Sequence, residues 1–350
     1  MPKSEFWRGR RVLLTGHTGF KGAWAWTWLT QLGAEVTGFA LAAETSPSLA
    51  HLLGIDAGSN SIIGDIRDPD AVTTAVAQAK PQIVLHLAAQ ALVRRSYAEP
   101  IETFDTNVIG TLRVLEAIRS APDIEACLVI TSDKVYENTG SGRAYVETDP
   151  LGGHDPYSAS KAACEIAVAS YASSFFKTPV STARAGNVIG GGDWSKDRII
   201  PDIWRACRAG EAVRLRYPRA TRPWQHVLEP LAGYFDFVEA MVAGLREPTL
   251  NFGPHSDMTL TVSEVVDAFL GTYGKASGSG WIHEGGQHLQ EAATLAIDAS
   301  RAANRLPWRP RLSAAEAIAW TAHWYAAYDR GEDMSAFTRA QITAFEDSCV

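Results

Sequence analysis

The sequence predicts an α/β protein: a doubly wound parallel Rossmann sheet with a smaller, mostly C-terminal substrate-binding lobe. Three observations predict it. Short apolar runs alternate with stretches of helical spacing through the first half of the chain. A GxxGxxG turn follows the first of those runs. After about Gly186 the pattern loosens, and Gly190–Gly191–Gly192, Pro201, Pro218, Pro223, Pro230, Pro248 and Pro254 punctuate the chain.

The first run, Arg11–Leu14, reads as a buried strand leading into the glycine turn, and the spacing after it predicts a helix over Phe20–Leu32. Glu35–Leu41 and Ser61–Ile63 read as the next two strands, followed by a helix over Pro69–Ala79. Gln82–Leu87 and Ala126–Ile130 continue the series, with a helix over Phe104–Ser120 between them. A helix from about Pro156 to Phe176 and a strand near Val180–Arg184 complete it. Strand–helix–strand units of this kind close into a parallel sheet and collect ligands at the carboxyl ends of the strands. The expected division is a dinucleotide-binding domain over residues 1–186 that carries the catalytic groups. Residues 187–350 would then form mainly the substrate lobe, with some segments returning to the larger domain. Gly271–Gly280 reads as a surface loop, and the stretch from about Phe337 onward has no legible pattern.

With 350 residues, 46% of them hydrophobic and 20% charged, the chain can bury a substantial core and is not globally disordered. A formal charge of -7 argues against nucleic acid or a membrane surface as partner. No apolar run reaches the length of a membrane span, and the opening MPKSEFWRGRR lacks the apolar middle of a signal peptide. Cys127, Cys164, Cys207 and Cys349 form no CxxC pair. The expectation is a cytoplasmic enzyme with reduced thiols. No His, Cys and Asp cluster has metal-ligand spacing, so no metal is expected.

Gly16, Gly19 and Gly22 of TGHTGFKG have distinct physical tasks. The first permits the tight turn, the second lets the backbone approach a pyrophosphate, and the third lets helix and sheet pack closely. The free N–H groups of the following helix start favour the anion. Thr18 and Phe20 join the glycines as expected cofactor contacts. Asp65, with Ile66 beside it, follows the third run and can accept the adenine amino group; a turn or helix-cap role is its structural alternative. Leu87, Ala88 and Ala89 follow the fourth run, where small residues let the chain pass beneath the cofactor. No Lys or Arg occurs between Lys21 and Arg67, which favours NAD over NADP. Glu44 is the candidate for the ribose hydroxyls.

Thr131–Ser132–Asp133–Lys134–Val135–Tyr136 ends the fifth run, and Tyr157 and Lys161 follow as YSASK. On a helix, positions i and i+4 share a face, which sets a phenol beside an ammonium. The positive charge is expected to favour the phenolate, and a tyrosine so tuned can take a proton from a sugar hydroxyl.

These residues together resemble the extended short-chain dehydrogenase/reductase family over nearly the whole chain. The resemblance implies Tyr157 as the base, Lys161 on the nicotinamide ribose and Ser132 on the reacting hydroxyl. GHTGFKG, TSDKVY, AGNVIGGGDW, DRIIPD and TRPWQHVLEPLAGY resemble, within that family, the CDP-glucose branch of the nucleotide-sugar 4,6-dehydratases. It implies CDP-glucose as substrate, oxidation at C4, loss of water across C5 and C6, and return of the hydride to C6 on bound NAD. Asp133 would be the acid for the leaving hydroxyl. Lys134 stands where dTDP-glucose dehydratases place a glutamate, so the C5 base is less clearly assigned. Val135 replaces a cysteine of the motif and is expected to face away from the chemistry. The resemblance also implies that Asn187 contacts the sugar or its diphosphate and that Arg222 clamps the diphosphate, with Arg214, Arg216 and Arg219 as alternatives. Asp197 and Arg198 would line the nucleotide pocket. Trp224 and His226 complete the candidate substrate contacts, each with a core role as its alternative. Relatives pair the helices at Phe104–Ser120 and Pro156–Phe176 across a dimer seam, so a homodimer is expected.

Overall fold

A computed structural model of the chain describes residues 1–254, 259–274, 280–285 and 295–348. Seven strands form one sheet: β1 Arg11–Thr15, β2 Glu35–Ala40, β3 Ser61–Ile63, β4 Ile83–His86, β5 Ala126–Ile130, β6 Val180–Ala185 and, from the second half of the chain, Thr249–Phe252. Their spatial order is Thr249–Phe252, β6, β5, β4, β1, β2, β3, with every pairing parallel. The reversal between β1 and β4 opens the crevice in which doubly wound sheets bind their ligands.

Alternate strand residues feed two apolar layers. Leu14, Leu85 and Leu128 pack with Trp24, Trp28, Phe235 and Val238 on one face. Leu13, Val84 and Val129 pack with Val72, Val76, Val114, Ile118 and Cys164 on the other. A side chain as fully enclosed as Trp28 or Leu14 contributes about 1.5–3 kcal/mol by leaving water. Cys127, Cys164 and Cys207 are buried free thiols; Cys349 lies outside the described residues.

The helices over Phe20–Gln31, Pro69–Ala79 and Pro156–Phe175 occupy the expected stretches. The one expected over Phe104–Ser120 is longer. It begins at Pro100, whose fixed φ suits a first helical position, passes through π-type turns at Asp105–Gly110 and ends as Thr111–Arg119.

The second half departs further from a lobe of loops and short helices. Leu228–Val242, Val262–Tyr273, Ala314–Asp329 and Met334–Asp347 are full helices. Pro230 sits in the first turn of its helix, where a missing N–H is tolerated. The patternless tail is helical because Asp333 caps it and Trp28 anchors it, through an edge-to-face contact with Phe345 and a 2.7 Å bond from its Nε1 to Glu346. Gly271 belongs to the Val262–Tyr273 helix, and positions 275–279 of the expected loop lie outside the described residues. Among the described residues no helix is long and apolar enough to cross a membrane, and no His, Cys, Asp and Glu cluster could hold a metal ion.

Candidate active site

A cleft of about 630 Å³ runs along the carboxyl ends of the strands, between the glycine turn, the Ser132–Lys134 loop and the second-half segments at 185–202 and 214–224. The turn is built for close approach. Gly16 has φ 78°, and a Cβ there would lie 2.8 Å from the Ala88 nitrogen; a Cβ on Gly22 would lie 2.0 Å from the Gly16 carbonyl. Such a cradle, closed by backbone and opening onto the first N–H groups of the Phe20–Gln31 helix, fits a dinucleotide pyrophosphate. Gly16, Thr18, Gly19, Phe20, Gly22, Asp65, Ile66, Leu87 and Ala89 all line the cleft. Ala88 does not: its side chain packs into the apolar layer, while its N–H donates to Thr15 Oγ1.

The carboxylate of Asp65 holds Arg67 at 2.6 Å, and the cap of the next helix is Asp68 instead. That ion pair keeps Asp65 below the usual carboxylate range. Glu44 reaches Arg95 at 2.7 Å. Arg67 and Arg95, absent from the local stretch that favoured NAD, approach this end of the cleft through space. Both are committed to carboxylates: Asp65 and Glu102 for Arg67, and Glu44, Glu99 and Glu102 for Arg95.

Tyr157 and Lys161 share one face of the Pro156–Phe175 helix, which Asp155 caps through the Ser158 N–H. Ser132, Asp133, Tyr157 and Lys161 are buried and Lys134 is half-buried, all on the cleft wall. Ser132 Oγ donates to Asp133 Oδ1 at 3.0 Å. Lys161 donates to the Ile130 carbonyl at 3.2 Å. The expected lowering of the tyrosine by its lysine is not what the structure gives. Enclosure pushes Tyr157 up to about 12, opposed by the Ser132 hydroxyl, and burial lowers Lys161 itself. The lysine points at the strand-end carbonyl, and desolvation of the phenolate outweighs it. Val135 is fully buried in a small cluster with Tyr136 and Tyr145, away from the cleft.

Beneath this loop lies a buried ionic network. Arg184 pairs with Glu165 at 2.9 Å and donates to the Tyr136 hydroxyl at 2.8 Å. Glu165 also accepts from Thr131 and Thr182, and Tyr136 donates to Asn251. The network ties the end of β5, β6, the Pro156–Phe175 helix and the Thr249–Phe252 strand together beside Ser132 and Asp133.

Asn187, Asp197, Arg198, Arg214, Arg216, Arg222 and Trp224 line the other wall; Arg219 does not. Asn187 and Asp197 have φ of 49° and 59°, the left-handed geometry that asparagine and aspartate tolerate best. Arg198 pairs with Asp193, and Asp197 with Arg94. His226 lies elsewhere. It is fully buried between Trp24 and Trp320, and desolvation lowers it to about 3, so it is a neutral core residue outside the cleft.

Residues 12–255 match the NAD dependent epimerase/dehydratase family. The chain belongs to that family. Within it, this chain is 42% identical to the CDP-glucose 4,6-dehydratase of Salmonella typhimurium, over 99% of this chain and 98% of that protein. It is 28% identical to a dTDP-glucose 4,6-dehydratase of Xanthomonas campestris pv. campestris, over 89% and 92%. In fold it matches the crystal structure of the dTDP-glucose 4,6-dehydratase of Bacillus anthracis in complex with NAD, with a TM-score of 0.76 at 23% identity, covering 94% and 100%.

For an epimerase/dehydratase family member, two cleft-wall features escaped the sequence reading. Lys21 lines the cleft with Asp133 and Tyr157, and Gly186 backs Asp133. The signal for Lys21 was a charge inside the glycine motif, on a helix whose other early residues are apolar or glycine.

Proposed function

We propose that the chain is a hydro-lyase that converts CDP-D-glucose to CDP-4-dehydro-6-deoxy-D-glucose. The observation that carries the reading is the adjacency of Asp133 and Lys134 to Ser132, Tyr157 and Lys161 in one cleft, since a simple oxidoreductase or 4-epimerase has no use for the extra acid–base pair. The likeness to the Salmonella typhimurium enzyme supports it and supplies the choice of CDP.

The glycine turn, Asp65, Ile66, Leu87, Ala89, Tyr157 and Lys161 would hold NAD, which would supply the hydride acceptor for C4 and the donor for C6. Tyr157 takes the proton of the C4 hydroxyl, with Ser132 holding that oxygen. The resulting ketone acidifies C5–H, whose proton passes to Lys134, which takes it as the neutral amine. Asp133 gives its proton to the C6 hydroxyl, the C6–O bond breaks with its electron pair on oxygen, and water leaves as the C5=C6 bond forms. Lys134 later returns its proton to C5. At the end Tyr157 holds one proton more and Asp133 one fewer, and Ser132, which lines the cleft with Tyr157 and donates to Asp133, is the relay that resets both. Arg222, with Arg198, Arg214 and Arg216, faces the diphosphate; Trp224 and Asn187 bound the nucleotide and sugar.

The reading includes a homodimer. Ile101, Phe104, Ile109 and Ile166 stand exposed on neighbouring helices, Ile101 at 82% and Ile166 at 62%, an apolar face of the kind partners cover. A cytoplasmic setting accords with the buried free thiols.

The test is incubation with the CDP, dTDP, UDP and GDP esters of glucose in deuterated water. The expected result is a 4-keto-6-deoxy sugar from the CDP ester, carrying deuterium at C5. A 4-epimer without deuterium at C5 would refute the reading. Tyr157→Phe should abolish oxidation at C4, whereas Asp133→Asn should leave oxidation partly intact and stall water loss.

A further inference from the structure

The glycine turn is flanked on both sides. Thr18 Oγ1 donates to the Leu41 carbonyl at 2.7 Å, on the chain leaving β2. On the other side Gly16 packs so closely on the chain leaving β4 that a Cβ would lie 2.8 Å from the Ala88 nitrogen. β1 stands between β2 and β4 in the sheet, so those two segments leave it about 10 Å apart, two strand spacings. Farther out they meet: Glu44, beyond β2, accepts from Arg95, beyond β4, at 2.7 Å. With the turn, the two segments close a ring over the carboxyl end of β1. Gly16, Thr18, Leu41, Glu44, Ala89 and Arg95 of that ring all line the cleft.

The two halves of the ring are held unequally. Arg95 belongs to the Val93–Ala98 helix, whose Ser96 hydroxyl accepts from the Tyr157 N–H at 3.1 Å. Glu99 and Glu102 fix its guanidinium at 2.7 and 3.1 Å. Glu44 stands 60% exposed on a segment with neither helix nor strand. Among the described residues, the bond to Arg95 is the one hydrogen bond that residues 42–47 make. We propose that Glu44 and Arg95 are positioning residues for the cofactor and form a latch over the bound dinucleotide. Arg95 is the fixed post and the segment through Glu44 is the moving arm. A pyrophosphate seated on the glycine turn is enclosed when the two meet, and the pair sets how fast the dinucleotide leaves. The latch serves the dehydratase reading above, in which one cofactor must take a hydride and return it, but it rests on dinucleotide binding alone.

Stopped-flow release of NADH from the full chain, followed by its fluorescence against excess NAD, tests the latch. Glu44→Ala and Arg95→Met should each release NADH about fivefold faster than wild type, the most that an exposed ion pair usually carries. The double variant should be no faster than either, because both remove the same bond. At about 1 M salt, where charges more than roughly 3 Å apart are screened, the gap between wild type and variants should close. Effects that multiply in the double variant would make Glu44 a direct contact of the ribose. Slower release from Glu44→Ala would make it a charge that repels the diphosphate. Either result overturns the latch, as does unchanged release or a gap that salt leaves open. Should Arg95→Met fold poorly, the exposed Glu44→Ala and its salt dependence decide alone. Failure to convert CDP-glucose would sink the dehydratase reading and leave the latch standing, whereas failure to bind NADH would sink the latch.

Discussion

Asp133 lies flat against the backbone of Gly186. A Cβ at that glycine would sit 1.9 Å from Oδ2 and 2.0 Å from Cγ, so any side chain there must move the carboxylate or the end of β6. Gly186→Ala is therefore expected to displace the acid while leaving the glycine turn and Tyr157 in place. A misplacement of about 1 Å costs on the order of 100-fold in rate, and the loss should appear in water loss, measured by quenched single turnover, with NAD affinity unchanged. The residues that periodicity and spacing make legible are those of the helix face and the strand end: Tyr157 and Lys161 at i and i+4, and Ser132 after β5. Gly186 was not legible, because its significance lies in a contact across 53 residues of chain to Asp133. The direction of the Tyr157 shift was hidden for a related reason. Spacing reveals the neighbouring lysine but not the depth of enclosure, which decides the sign.

At the scale of elements, Leu228–Val242 shows why the second half read as irregular. Twelve of its fifteen residues are buried, so it has no polar face to set an amphipathic period. Glu229 in its first turn fixes the following segment by accepting the Arg311 and Leu312 N–H groups at 2.9 and 2.6 Å, while its other oxygen has no partner among the described residues. Burial raises this carboxyl to about 7. The folded state therefore holds a proton that the unfolded state releases near 4.5. Its contribution is fully present below about pH 4.5 and is lost as pH rises through about 7. Glu229→Gln keeps one acceptor oxygen and cannot ionise. Thermal or urea unfolding of the variant should show less loss of stability between pH 5 and 8 than wild type. The Pro69–Ala79 and Thr111–Arg119 helices were legible because each has one buried and one wet face. The tail helix was not, because its anchors are contacts with residues distant in sequence, Trp28 above all.

At the scale of the whole molecule, the parallel sheet and the crevice at its strand ends followed from the alternation of runs and the place of the glycine turn, both local signals; the outermost strand, Thr249–Phe252, did not. The exposed face of Ile101, Phe104, Ile109 and Ile166 belongs to the same scale. Ile166→Asp, at a position 62% exposed, should leave the monomer folded and halve the mass seen by sedimentation at micromolar concentration. Retention of the dimer would place the seam elsewhere.

The outermost strand, Thr249–Phe252, seals β6 along Thr182–Ala185. A fragment truncated at Gly186 would still carry the glycine turn with Ser132, Tyr157 and Lys161, but on an open ribbon of unpaired amides flanked by apolar side chains. Such a border recruits its own copies. Any attempt to express the first half as a stand-alone nucleotide sensor, or to split the gene there, should yield insoluble polymer unless residues through Phe252 are supplied in trans.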